Sequence, residues 1–356
     1  MSYYALIMAG GTGTRLWPVS RKVRPKQTHA LIDEGTLFQE SVKRILPIFD
    51  IQRIFVATSR DLLPILMGQV PDLPIENYII EPEGKGTAPC IGLASIHISI
   101  KDPNAIMTVL TADHYIRDVE KFRGVIKGAN KIAENGHIVT LGMLPSYPST
   151  GYGYIKQAGK LCDVEGFSVY HVDQFVEKPD RDTAVKMLDG NYFWNSGMFI
   201  WRVDRILEEF QRHMPTLSNQ LLQIGEGIGK SEYEYILTKT WSEVDIETID
   251  YGIMEKATDV VVIPLNIGWS DIGSWSSLAN LLSKDDVENV VIGNHLSLDT
   301  SGSFIFGDKR VIATIGLRDI IIVDTDDALL VCTKKTDQKV RDIVNILREN
   351  KLLHLI

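Results

Sequence analysis

Ala5-Leu6-Ile7-Met8-Ala9-Gly10-Gly11-Thr12-Gly13-Thr14-Arg15-Leu16, continuing to Arg24-Pro25-Lys26-Gln27, is the stretch on which the rest of the chain turns. An apolar run of strand type stops at two glycines, and an arginine follows within a few residues. Glycines at such a strand end allow positive φ and let backbone N–H groups approach an anion closely. Arg15 and Lys26 add two cations, as transfer of a phosphoryl or nucleotidyl group requires. A P-loop would need Gly-Lys-Ser/Thr where Gly13 is followed by Thr14 and Arg15, and a dinucleotide fingerprint would need a glycine where Leu16 stands. The competing reading is a glycine-rich turn between strand and helix, with two solvated basic side chains.

Outward from this stretch, short apolar runs alternate with helical spacing. Strands are expected at Tyr3 to Ala9, Arg53 to Thr58, Asn77 to Pro82, Ala105 to Leu110 and His137 to Leu141, and helices at Phe38 to Leu46, Leu62 to Met67 and Ala88 to Ser99. This pattern predicts a mostly parallel sheet covered on both faces, with ligands at the carboxyl ends of its strands. The 356 residues exceed one typical domain, so a large domain and a small one are expected. A formal net charge of -9 argues against a nucleic-acid partner, so an anionic substrate must be met by local cations such as Arg15, Lys26 and Lys178. No apolar run has the length of a membrane span and no basic leader precedes the first strand, so no membrane partner and a cytoplasmic location are expected. Cys90, Cys162 and Cys332 lack metal-ligand spacing and are expected to be buried free thiols.

The block Gly10 to Arg21 with Pro25-Lys26-Gln27 resembles the signature of the nucleotide-sugar pyrophosphorylases, and Trp17-Pro18 with Pro25-Lys26-Gln27 is most similar to their mannose-1-phosphate guanylyltransferase branch. The resemblance implies an α/β fold. It comprises a Rossmann-like, mostly parallel-sheet nucleotidyltransferase domain of the glycosyltransferase-A-like kind over residues 1–286, then a small C-terminal β (left-handed β-helix-like) domain over 287–356. It also implies the reaction: GTP and α-D-mannose 1-phosphate give GDP-mannose and diphosphate, with Mg²⁺ (or Mn²⁺) on the nucleotide. Arg15, Lys26 and Asp113 would be catalytic. Ala9, Gly10, Gly11, Thr12, Gly13 and Thr14 would hold the nucleotide, with Gly84, Thr87, Ala88 and Asp113.

Asp113 closes the apolar run ending at Leu110; by spacing alone it could cap a turn, and the family places its metal aspartate there. Glu81 to Pro89 resembles the base-lining segment, although Lys85-Gly86 stands where many members carry Arg-Asn. In the sugar half, Gly151 and Tyr152, then Glu177-Lys178-Pro179, then Asn195 before an apolar strand, match the family in order. Glu177 can accept from hydroxyls and Lys178 can neutralise a sugar phosphate. Read by themselves, the glycines could form a hairpin turn and Glu-Lys-Pro an exposed one. Thr248 to Lys256 and Gly268 to Trp275 complete the pattern. Asp271 would be the second metal carboxylate, and otherwise an N-cap for a helix over Ser274 to Ser283.

From Val287 the texture changes to short strands at Asn289–Asn294, Ser303–Phe306, Val311–Thr314, Ile320–Val323 and Ala328–Val331, closed by an amphipathic helix over Asp337 to Leu352. In the family this module helps form a homodimer. Longer members carry a phosphomannose isomerase domain beyond it, and that activity is not expected here. The alternatives are another hexose- or heptose-1-phosphate nucleotidyltransferase, and a non-catalytic nucleotide-sugar sensor.

Overall fold

The computed structural model describes residues 1–11 and 13–356. The chain folds as two compact units. The first is made of Met1–Gly10, Ser41–Ala112 and Ile116–Trp269, the second of Gly11–Glu40, Asp113–Tyr115 and Ser270–Ile356.

The first unit is built on a nine-stranded sheet. Its parallel half contains β1 (Tyr3–Met8), β2 (Ile54–Ser59), β3 (Tyr78–Glu81) and β4 (Ile106–Thr111). Leu6 of β1 lies beside Phe55 of β2 and Val109 of β4. These runs are mostly apolar because both sheet faces are covered. The short strand β5 (Tyr115–Ile116) marks a crossing of the chain between units. The rest of the sheet is β6 (Ile138–Met143), β7 (Tyr154–Val164), β8 (Phe167–Val176), β9 (Tyr192–Arg202) and β10 (Val260–Leu265), giving the order β3-β2-β1-β4-β9-β6-β10-β8-β7. β9 is antiparallel to both β4 and β6, so the parallel half gives way to a mixed one there. The helix Thr87–Lys101 is apolar almost all round, and Ile91, Leu93 and Ala94 are buried in one core with Leu6, Phe55 and Trp201. Another crossing lies within β11 (Trp269–Ser270).

The second unit contains β12 (Val290–Leu298), β13 (Phe304–Ile315), β14 (Ile320–Asp324) and β15 (Leu329–Thr333). The first three pair in parallel, and β15 is antiparallel to β14. The stretches Ser303–Phe306 and Val311–Thr314, expected as two strands, are one. A register shift in the ladder between Gly293 and His295 absorbs the polar residues that looked like a break. The closing helix is shorter than expected, Val340–Glu349, because residues 334–339 wind as a 3₁₀ segment. The helix expected over Ser274 to Ser283 spans only Trp275–Ala279, capped by Ser274, whose side chain accepts from the Ser277 N–H.

The opening loop belongs to the core of this second unit. Leu16, Trp17, Leu31 and Leu37 pack in one cluster with Trp275, Val290, Phe304, Ile321, Val323, Val340 and Val344. The Trp17 indole donates to the Leu355 carbonyl at 2.7 Å, and the Trp275 indole donates to the Trp17 carbonyl at 3.0 Å. All three cysteines are free thiols, but Cys90 alone is fully buried. Cys162 and Cys332 are half-buried, on strands with one face open to solvent.

Candidate active site

β1 delivers the opening glycines to the carboxyl end of the parallel half. Ala9 is buried and its N–H donates to the Ala57 carbonyl, which extends the β1–β2 ladder by one bond. The N–H groups of Gly10 and Gly11 have no partner among the described residues, and a Cβ on Gly11 would meet nothing within 4 Å. Gly13 has φ 57°, and a Cβ there would sit 2.6 Å from the Lys26 Cβ, so the turn needs glycine on two counts. Thr14 and Arg15 follow in a 3₁₀ turn, and Arg15 makes no ion pair among the described residues. Thr12, expected among the nucleotide contacts, lies outside the described residues.

Lys26 ties this turn to the Asp113 carboxylate and the Asp271 backbone. Its side chain is 8% exposed, and Nζ lies 2.8 Å from Asp113 Oδ2. The same ammonium donates to the Asp271 carbonyl oxygen at 2.6 Å. Gln27 Nε2 donates to the Gly11 carbonyl at 3.0 Å, fixing the turn from beneath. Desolvation pushes the Asp113 carboxyl up, but Lys26 and His114 outweigh it and hold the group below the usual carboxylate range. Asp113 is therefore an ionised hard-oxygen donor at neutral pH. Asp271 caps no helix. Its Oδ1 accepts from the Gly273 N–H at 2.9 Å, and a Cβ on Gly273 would come within 2.7 Å of Oδ2. Ile272, fully buried, is held at φ 46°, a conformation that costs a β-branched residue about 1–3 kcal/mol. This strained turn aims the Asp271 carbonyl at Lys26.

The donor set suits Mg²⁺, which takes one or two protein carboxylates and fills its shell with substrate phosphates and water. Among the described residues no group of three or more potential metal-binding side chains occurs.

In the first unit, β3 ends at Glu81 and the loop to the helix Thr87–Lys101 is pinned by a segment from later in the chain. The Glu247 N–H donates to the Lys85 carbonyl, the Ala88 N–H donates to the Glu247 carbonyl, and the Ile249 N–H donates to Thr87 Oγ1 at 2.9 Å. Gly86 has φ 93°, and a Cβ there would collide with the Glu247 carbonyl oxygen. The departure from Arg-Asn thus has a local cause, since a side chain at 86 does not fit this turn. Gly84 is exposed, whereas Ala88 is fully buried and its N–H is spent on the loop. Glu81 is a buried carboxyl that the sequence did not single out. Burial raises it to about 7 despite a hydrogen bond from the Cys90 thiol.

The sugar-half residues also converge within the first unit. The turn of the β7–β8 hairpin lies at Glu165-Gly166, both at positive φ, so Gly151 and Gly153 serve a different purpose. Gly151 N–H donates to Ser149 Oγ at 3.2 Å, and Tyr152 meets Trp194 and Trp269 edge-on at 5.0 and 5.5 Å. A Cβ on Gly153 would collide with Glu177 Oε2. Glu177 is 8% exposed and its Oε1 lies 2.6 Å from Lys178 Nζ, while Lys178 sits at φ 45° with half its side chain in solvent. The Asn195 N–H donates to the Gly153 carbonyl at 2.8 Å, and Asn195 Nδ2 donates to Asp250 Oδ1 at 2.8 Å. Asp250 and Glu247 lie in or beside a sequence motif that by itself assigns them no task. Only the folded chain shows what they touch.

The profile of the Nucleotidyl transferase family matches residues 4–287, and that of the MannoseP isomerase/GMP-like beta-helix domain matches residues 293–347. The chain belongs to the nucleotidyl transferase family. This nucleotidyl transferase is 37% identical over 350 residues to a Klebsiella pneumoniae protein named mannose-1-phosphate guanylyltransferase, an alignment covering 97% of this chain and 74% of that one. It is 37% identical over 345 residues to the xanthan biosynthesis protein XanB of Xanthomonas campestris, covering 96% and 72%. A crystal structure from Thermus thermophilus, described as a mannose-1-phosphate geranyltransferase, superposes on the nucleotidyl transferase with a TM-score of 0.88 at 33% identity, covering 98% of this chain and all of that one. Among the described residues no helix is long and apolar enough to cross a membrane.

Proposed function

We propose the following division of labour for a mannose-1-phosphate guanylyltransferase that joins GTP and α-D-mannose 1-phosphate into GDP-mannose and diphosphate. A phosphate oxygen of the sugar phosphate forms a bond to the α-phosphorus of GTP. The bond from that phosphorus to the α–β bridging oxygen breaks, and diphosphate leaves. No covalent adduct with the protein is needed, because positioning and charge neutralisation carry such a transfer. The N–H groups of Gly10 and Gly11 donate to the triphosphate, and Arg15 and Lys26 stabilise the charge building on the departing diphosphate. Asp113 and Asp271 would hold Mg²⁺, which supplies Lewis-acid neutralisation of the phosphates. Gly84 and Thr87 face the nucleoside, Lys178 holds the sugar phosphate, and Gly151, Tyr152, Glu177 and Asn195 read the sugar.

Likeness to proteins of that name along nearly the whole chain carries the reaction, and the Lys26–Asp113 pair carries the placement of the chemistry. The test is diphosphate release from four NTPs against a panel of sugar 1-phosphates, with Mg²⁺ or EDTA. GTP with mannose 1-phosphate should be the best pair, and EDTA should stop it. A stronger signal from a heptose phosphate would overturn the substrate. Nucleotide-sugar binding without diphosphate release would overturn the reaction.

Residues 1–286 and 287–356 are proposed as the domains in sequence, a boundary supported by the limits of the two matched profiles. A homodimer through the C-terminal strands is supported by their exposed apolar side chains. Leu298 and Ile315, neighbours across the β12–β13 ladder, are 64% and 72% exposed.

A further inference from the structure

Asp250 opens a π-helical turn, Asp250–Met254, that none of the roles above employs. Its position is set from two sides. The preceding Ile249 is bonded through its N–H to Thr87 Oγ1, and Asp250 Oδ1 accepts from Asn195 Nδ2 at 2.8 Å. Asn195 is itself locked, because its Oδ1 accepts from the Gly197 N–H at 3.1 Å and its own N–H is bonded to Gly153. Glu177 occupies the space left by the absent Cβ of Gly153. Burial, and then the nearby Glu177 carboxylate, push Asp250 up to about 6. The Glu177 carboxylate and Asn195 thus lie about Gly153, with the Asp250 carboxylate bonded to the Asn195 amide and Lys178 paired with Glu177.

Like charges in a poorly solvated place repel, and among the described residues the two carboxylates have fewer donors than their oxygens can accept. Adjacent sugar hydroxyls would supply those donors, one to each acid. Resting on the reading that this half takes the sugar phosphate, we propose that Asp250 is a specificity-determining residue that accepts a hydrogen bond from a hydroxyl of the sugar ring, beside the one accepted by Glu177. The π-turn presents the carboxylate, and the bond from Ile249 to Thr87 ties that presentation to the nucleotide loop.

The variant Asp250→Asn keeps the shape and an oxygen for Asn195 to donate to. It should raise KM for mannose 1-phosphate roughly ten- to a hundredfold, the scale of losing a charged hydrogen bond, with the KM for GTP within about twofold. Mono-deoxy mannose 1-phosphates separate contact from structure. For the analogue lacking the hydroxyl that Asp250 holds, the gap between wild type and variant should close to within about threefold, while for the others it should persist. An unchanged KM, or an equal gap for every analogue, overturns the proposal. Asp250→Ser serves the same comparison if the first variant does not fold. Diphosphate release by the wild-type enzyme tests the underlying reading separately, whatever Asp250 does.

Discussion

At the scale of single residues, the site rests on charges whose partners are now identifiable. Arg15 is the cation left without an ion pair among the described residues, while Lys26 divides its protons between Asp113 and a backbone carbonyl. Arg15→Ala should therefore lower kcat by on the order of 10²-fold or more with little change in thermal stability, and a loss of only a few-fold would refute its proposed role on the departing diphosphate. Asp113→Asn should abolish metal-dependent turnover, measured as diphosphate release across a Mg²⁺ titration, and unchanged metal dependence would refute its role. Glu81 gives a prediction about pH. Its folded pKa of about 7 lies above the ordinary value of 4.5, so the folded state binds the extra proton between those values. The stability it contributes is full below pH 4.5, falls as pH rises toward 7 and is absent above. Relative to Glu81→Gln, the wild type should lose about 3 kcal/mol across that window, read from urea unfolding at each pH, because one pKa unit is worth about 1.4 kcal/mol. Using the difference cancels the other titrating groups. A flat difference would show that Glu81 is ionised in the folded protein.

At the scale of elements, two turns carry the conformational cost. One is the Asp271–Gly273 turn, with Ile272 at positive φ and the Asp271 carbonyl aimed at Lys26. The other is the loop before the helix Thr87–Lys101, where Gly86 faces the Glu247 carbonyl. Gly86→Ala should cost at least about 2 kcal/mol, from a positive φ and a collision with backbone that cannot yield cheaply. It should also raise KM for GTP more than KM for the sugar phosphate. Calorimetry and two-substrate kinetics check both parts, and an unchanged melting temperature would mean that the loop is not pinned as described. Strand runs and the glycine turn were legible in the sequence because burial on both faces and φ preference are local properties. The bonds from residues 247–249 to this loop were not legible, because they join segments about 160 residues apart and neither segment's own sequence names its partner.

At the scale of the whole molecule, the two units do not follow the chain in order. The turn that holds Arg15 and Lys26 shares its apolar core with strands from the last 70 residues, around Trp17, Trp275, Phe304 and Val340. Truncation after residue 286 should therefore do more than remove the proposed dimer contact. It should leave this core open, bind ANS and release no diphosphate, whereas a folded and active fragment would contradict the shared core. Leu298→Lys with Ile315→Glu should instead leave the fold intact and convert a dimer to a monomer by sedimentation. An unchanged sedimentation coefficient would place any dimer contact elsewhere.

The sequence by itself determined most of the strand and helix runs, the glycine turn after the first strand and the family, since all of these are written in local spacing and short motifs. Only the tertiary structure decided that Lys26 neutralises Asp113, that the C-terminal strands complete the core under the opening loop, and that Asp250 stands beside Asn195. Those are contacts between distant segments. Their energies depend on burial and on separations of a few ångströms, which exist only once the chain has folded.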